Sequence, residues 1–210
     1  MGKDIPIIEW HQVDSQLFWE HIAPSDHVVQ IYEKDEDLLD LLEDYAVGGI
    51  KSNAGIIIIA TKAHLELLDV RLQTQGLNIN ELQADNQYIR LEVHSCLSQI
   101  MENGWPNEIL LGEFISGITA RASQGNRKIR AFGEMVAVLW MKGSRKATIR
   151  MEQLWNEFSN THSISLFCAY PKSALTQSPS SSVMDICCSH SRMVTGKNKS
   201  KTEIFYKDFI

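Results

Sequence analysis

Ile56-Ile57-Ile58-Ile59-Ala60 is the stretch on which the fold turns. Its residues are apolar without a break, so neither face of a strand built from them would suit water. A strand in a half-solvated antiparallel sheet alternates apolar and polar residues. A strand apolar on both sides belongs inside a parallel sheet with helices on each face. The run is far shorter than the ~20 apolar residues a membrane span needs.

Upstream, His27 to Tyr32 (HVVQIY) is β-branched and aromatic and predicts a short strand. Asp35-Glu36-Asp37 then opens a helix, its acidic residues suiting the positive N-terminal end. Leu38, Leu39, Leu41, Leu42, Tyr45 and Ala46 supply its apolar face at helical spacing. Gly48-Gly49 either ends that helix or lets it pass close to a neighbour. Downstream, Lys62 to Gln75 reads as a helix stopped by Gly76, and Tyr88 to Val93 as a strand. Leu97 to Met101 reads as a helical turn, residues 103–106 as a loop, and Glu108 to Ser123 as a helix. Lys128 to Glu134 is a strand, Thr148 to Phe158 a helix, and Ile164 to Tyr170 a further buried strand stopped by Pro171. Ser173 to Ser182 reads as a serine-rich loop, and Val183 to Cys188 as a last helix or strand. Residues 1–24 form a lead-in with Trp10, Leu17, Phe18 and Trp19 available for packing. Residues 25–195 form the domain, and 196–210 a flexible basic tail carrying Lys197, Lys199 and Lys201.

Strands alternating with helices predict an α/β three-layer sandwich around a mostly parallel sheet. Such sheets bind ligands outside the carboxyl ends of their strands. The ends to watch are Tyr32-Glu33, Thr61-Lys62, Phe132-Gly133-Glu134 and Tyr170-Pro171.

The chain has 210 residues, enough for one core without a metal or disulfide staple. Its 20 Lys and Arg against 26 Asp and Glu leave a net charge of −6. That balance argues against wrapping nucleic acid. The N-terminus has Asp4 and Glu9 where a signal peptide would be apolar. A cytoplasmic protein with reduced Cys96, Cys168, Cys187 and Cys188 is expected.

The chemical motifs usual to this architecture are missing. A phosphate loop requires G-x-x-x-x-G-K-[ST] between a strand and a helix, so that backbone amides cradle the phosphates. Gly48-Gly49-Ile50-Lys51-Ser52 lacks the adjoining glycine and precedes the strand. There is no G-x-G-x-x-G, no G-x-S-x-G and no H-E-x-x-H. Cys187-Cys188-Ser189-His190 clusters two thiols and an imidazole, but adjacent cysteines without a second pair do not make a structural zinc motif. No metal site and no cofactor are assigned. Cys168 lies in a buried strand and reads as inert. Glu134 stands at a strand end after Gly133, placed for a hydrogen-bond acceptor or base, or else paired with Arg130 or Arg127. Trp140, Trp155 and Phe132 read as a pocket wall or as plain core.

Taken in order, HVVQIYEKDEDLLDLL, IIIIATKAHLELL, the stretch from Arg127 to Phe158, SLFCAYP and ICCSHSRMV resemble the MEDS family of sensory domains from methanogen and methylotroph regulators. The resemblance runs from His27 to about Val194. It implies a RecA/KaiC-like core without a working phosphate loop. Members serve as input modules of histidine kinases or transcription regulators, or stand alone, and are thought to sense small organic molecules. The family-like polar positions are His27, Gln30 and Tyr32, then Thr61 and His64, then Arg130 and Glu134, then His190 and Ser191. Asn53-Ala54-Gly55 and the second thiol of Cys188 depart from the family pattern.

The expectation is a non-enzymatic module that binds a small organic ligand through His27, Gln30, Tyr32, Thr61, His64, Arg130, Glu134 and His190, with Trp140 as a wall. It would pass a conformational signal to a partner protein, such as a histidine kinase or transcription regulator, and would form homo-oligomers. Neither nucleic acid nor membrane is expected as a direct partner. The alternative is a degenerate RecA-like nucleotide-binding protein or weak ATPase.

Overall fold

The computed structural model describes residues 10–12, 15–20, 22–178, 180–196 and 202–206. The chain begins with β1 (Trp10–Gln12), α1 (Ser15–Glu20), β2 (His27–Tyr32), α2 (Asp35–Lys51) and β3 (Gly55–Ala60). There follow α3 (Lys62–Thr74), α4 (Ile79–Ala84), β4 (Tyr88–Glu92), α5 (Val93–Ile100), β5 (Met101–Glu102) and β6 (Trp105–Pro106). Next come α6 (Glu108–Ala122), β7 (Ile129–Gly133), α7 (Met135–Met141), α8 (Arg145–His162) and β8 (Ser165–Pro171). The chain closes with α9 (Lys172–Thr176), α10 (Ser180–Ser189), β9 (Arg192–Gly196) and β10 (Thr202–Tyr206).

The main sheet has the order β1-β10-β9-β2-β8-β7-β3-β4. From β9 through β4 every neighbouring pair is parallel, and β10 and β1 extend that edge antiparallel. The isoleucine run behaves as its composition demands. Ile56 and Ile58 enter a core shared with α1 to α4, whereas Ile57 and Ile59 enter one shared with α5 to α8. Period-two alternation sends the residues to opposite faces, and both faces are dry. The result is the expected three-layer α/β sandwich.

Helix α2 runs through Gly48-Gly49 to Lys51. A Cβ at Gly49 would lie 2.3 Å from Ile56 Cδ1, so glycine here permits a close helix–strand approach and does not end the helix. Gly55 does the same for α6, since a Cβ there would lie 2.2 Å from the Ala122 carbonyl oxygen. Gly55→Ala should therefore cost about 1–3 kcal/mol through overpacking against backbone. That corresponds to a fall in Tm of about 2–12 °C in a thermal melt. An unchanged Tm would mean that α6 shifts away freely.

Local reading misses several short elements. The serine-rich loop contains α9 and the start of α10, and the region of Leu97 is the full helix α5. Asn103 and Gly104, both at positive φ, turn the β5–β6 hairpin where a loop was expected. The segment beyond residue 196 includes β10, which pairs with both β9 and β1. The lead-in also contributes to the core, because Phe18 and Trp19 of α1 are buried. Lys197, Lys199 and Lys201, like the side chains of Trp10 and Leu17, lie outside the described residues.

Candidate functional site

Two clusters of buried polar side chains among the described residues bear on function. The first stands where the parallel strands end. The chain leaves β7 at Gly133, and Glu134 initiates α7 with its carboxylate buried. Its backbone N–H donates to the Ile59 carbonyl at 2.8 Å, locking the end of β7 to that of β3. Thr61 follows β3 as the N-cap of α3, and its N–H donates to Glu134 Oε2 at 2.6 Å. His64, in the first turn of α3, places Nδ1 2.8 Å from Glu134 Oε1. Its Nε2 is 3.7 Å from the exposed carboxylate of Asp35, at the start of α2 beyond β2. One imidazole thus bridges two carboxylates supplied by different strand ends. The hydrogen bond to Glu134 raises the His64 pKa against the opposing effect of burial, and the Asp35 charge adds to the rise. Tyr32, the last residue of β2, is buried, and burial followed by the charges of Glu134 and Asp35 pushes its phenol pKa up.

The rim is acidic at the point where a phosphate would sit. Helix α2 begins Asp35-Glu36-Asp37, and Asp37 Oδ2 accepts the Lys34 N–H at 3.0 Å. The helix end that could hold an anion through its amides already carries its own carboxylates. Across the rim, Lys172 after β8 pairs with Glu33 after β2 at 2.8 Å.

The second centre is enclosed between the sheet and helices α8 and α10. Glu152 of α8 is wholly buried, and its Oε1 accepts the Tyr170 hydroxyl at 2.5 Å. His27, the first residue of β2, has Nε2 3.3 Å from Cys168 Sγ and 3.4 Å from Glu152 Oε2. Its Nδ1 lies 2.7 Å from Asn156 Oδ1. His190 follows α10, with Nδ1 2.7 Å from the Ile186 carbonyl and Nε2 3.5 Å from Glu152 Oε2. The two imidazole centroids are 4.0 Å apart. Reciprocal bonds between His27 and Ser191 hold the strand start against the turn that carries His190. Burial, then the neighbouring His190, lowers the His27 pKa to about 3, and burial lowers that of His190 to about 4. Burial raises the pKa of Glu152, and burial followed by the Glu152 charge raises that of Cys168. At the close His27–Glu152 contact burial works against the charged form of both groups, and their mutual attraction only partly offsets it.

The expected ligand residues are thus divided. Tyr32, Thr61, His64 and Glu134 meet at the strand ends, whereas His27 and His190 belong to the enclosed centre. Gln30 projects toward α2 and donates to the Asp37 carbonyl at 2.9 Å. Arg130 lies under α2, donating to the carbonyls of Tyr45 and Glu20 with its guanidinium over the Tyr45 ring. It does not pair with Glu134, because four residues of extended chain separate them by about 13 Å. Arg127 pairs with Asp85 instead. Trp140 is core: its indole N–H donates to the Ala174 carbonyl, and its ring meets Tyr170 edge-on. The sequence reading left Asp35, Glu152 and Tyr170 out of the ligand set, although it marked Asp35 as a helix start and Tyr170 as a strand end, and it set Cys168 aside as inert. One signal was available, since Glu152 stands on the buried stripe of α8 with Thr148, Trp155 and Ser159.

The fold has relatives among solved structures. A protein from Pyrococcus horikoshii OT3 solved in a structural study aligns with TM-score 0.54 and 10% identity, covering 87% of each chain. Flagellar accessory protein FlaH from Methanocaldococcus jannaschii aligns with TM-score 0.52 and 12% identity, covering 86% of this chain and 76% of its own. At such identities the likeness concerns the fold alone, which is RecA-like. No curated protein sequence matches the chain. The family model for the methanogen/methylotroph, DcmR sensory domain matches residues 26–191, which include the strand ends and the enclosed centre alike, and the chain belongs to that MEDS family.

Proposed function

We propose that this sensory domain is a non-enzymatic module that binds a small organic ligand at the carboxyl ends of β2, β3 and β7. The observation that carries this reading is the His64 imidazole held between Glu134 and Asp35, beside Tyr32. Three βα junctions contribute to that group, so a molecule inserted among them acts on three elements at once. The acidic rim favours a neutral polar or cationic guest over a phosphate. The guest would take over the hydrogen bonds that His64 and Glu134 make with each other, freeing α3 and α7 to shift. A partner protein, such as a histidine kinase or transcription regulator, would read that shift. Homo-oligomerisation and a cytoplasmic setting are part of the same proposal.

A thermal-shift screen of neutral and cationic small organics, with magnesium-ATP as a separate arm, tests the reading. A hit should raise the Tm of the wild type and leave that of Glu134→Gln unmoved. Stabilisation by magnesium-ATP alone would favour a nucleotide-binding protein and overturn the proposal. No shift with any compound would overturn it as well.

A further inference from the structure

We infer that His27, Glu152, Cys168 and His190 form a closed mononuclear site for a divalent cation of the zinc class. One ligand atom from each of these buried residues lies within 4.8 Å of all the others. The inference is independent of the strand-end reading, since it uses none of the same side chains.

The direction of the hydrogen bonds carries the argument. A backbone carbonyl only accepts, so His190 Nδ1 bears the proton shared with Ile186 O, and Nε2 presents a lone pair. Asn156 Nδ2 donates to the Ser189 carbonyl at 2.5 Å, which turns Oδ1 toward His27 Nδ1. His27 is thereby fixed in the same tautomer, with the Nε2 lone pair also facing inward. Metal-ligating histidines are oriented in this way, by a carbonyl oxygen on the other ring nitrogen. Glu152 Oε2 and Cys168 Sγ face the same point, while the Tyr170 proton is already given to Glu152 Oε1. His190 Nε2 is buried and has no hydrogen-bond partner among the described residues. An orphaned acceptor at the centre of a fully enclosed polar group is costly, and a cation satisfies it.

The spacing fits as well. Ligands about 2.0–2.3 Å from a tetrahedral zinc stand roughly 3.3–3.8 Å from one another. Four of the six separations are 3.3 Å for His27–Cys168, 3.4 Å for His27–Glu152, 3.5 Å for His190–Glu152 and 3.9 Å for Cys168–Glu152, and the other two stay within 4.8 Å, so binding would draw the group slightly together. Two imidazoles, a thiolate and a carboxylate suit zinc-class ions better than calcium or magnesium, which take oxygen ligands. Binding forms two metal–nitrogen bonds, one metal–sulfur bond and one metal–oxygen bond. The thiol and carboxyl protons pass to solvent, so the occupied site carries no net charge. With every coordination position taken by protein, the site is structural in type. It would pin β2, α8, β8 and the turn before β9 together.

Because the centre is enclosed, the test refolds the full chain from denaturant with zinc chloride, with cobalt chloride, or with EDTA. The expected results are one zinc per chain after gel filtration and a Tm about 5–10 °C above the EDTA sample at a metal concentration 100-fold over Kd. The cobalt form should show tetrahedral d–d bands and a thiolate-to-cobalt charge-transfer band. Cys168→Ser should abolish that last band, and Asn156→Ala should weaken affinity about 10–100-fold. The Cys187→Ala/Cys188→Ala double variant should retain the band, which excludes the adjacent surface thiols as its source. If Cys168→Ser fails to fold, the wild-type cobalt spectrum and the double variant decide. A wild type that refolds without taking up metal overturns the inference, leaving a hydrogen-bonded core network. So does a charge-transfer band that disappears in the double variant.

Discussion

Trp19→Ala should destabilise the protein by about 3–5 kcal/mol, the usual cost of truncating a large buried aromatic. In a chain of this length that lowers Tm by roughly 6–20 °C. Trp19 belongs to the short helix α1, which sequence reading assigned to a lead-in outside the domain. It is nevertheless fully buried, with ring centroids 4.7 Å from Phe18, 5.0 Å from Tyr45 and 4.8 Å from Phe167. Phe167 sits on β8, and the Tyr45 hydroxyl donates its one proton between the carbonyls of Ala131 on β7 and Ser165 on β8. Removing the indole opens a cavity at the junction of α1, α2 and the sheet. Trp19→Phe should cost much less, because the indole N–H it discards is buried and has no hydrogen-bond partner among the described residues. Urea titration of both variants checks this. A midpoint unmoved in Trp19→Ala would mean that α1 does not dock on the sheet.

Glu134→Ala should have a comparable effect, about 3–5 kcal/mol near pH 6, because it strands a buried imidazolium and the Thr61 N–H. Glu134→Gln keeps one acceptor oxygen, enough for the Thr61 N–H, but turns an NH2 donor toward His64 Nδ1, which can accept it only as the neutral ring, so its cost should be about 1–3 kcal/mol. The pH dependence follows from His64, whose folded pKa is raised above the unfolded value. Its ionic contribution is complete below the unfolded pKa of about 6.5 and is lost as pH rises through the higher folded value. The stability gap between wild type and Glu134→Gln should therefore narrow from pH 6 toward pH 9. Thermal melts across that range measure it. A gap that widened with pH would show that His64 is neutral beside Glu134.

The architecture was legible because its signals are local. A strand buried on both faces must be apolar throughout, so Ile56 to Ala60 announces a central parallel strand wherever the rest of the chain lies. Leu38 to Ala46 repeats at helical spacing for the same kind of reason. The strand-end site was half legible, since Tyr32, Thr61 and Glu134 follow directly from where strands stop. The status of Arg130 and Trp140 was not, because direction across a sheet depends on register and on which helix covers each face. Strand β10 escaped notice because its place in the sheet rests on pairing with β9 and β1, which no local pattern announces.

The sequence by itself determined the alternation of strands and helices, the parallel core and the loss of the phosphate loop, all properties of short contiguous stretches. Only the tertiary structure decided which distant residues meet. His27, Glu152, Cys168 and His190 share no motif spacing, yet β2 lies beside both β8 and β9 in the sheet, and α8 covers the face between them. Hydrogen-bonded register and helix packing, acting across more than a hundred residues of chain, bring these groups to one point.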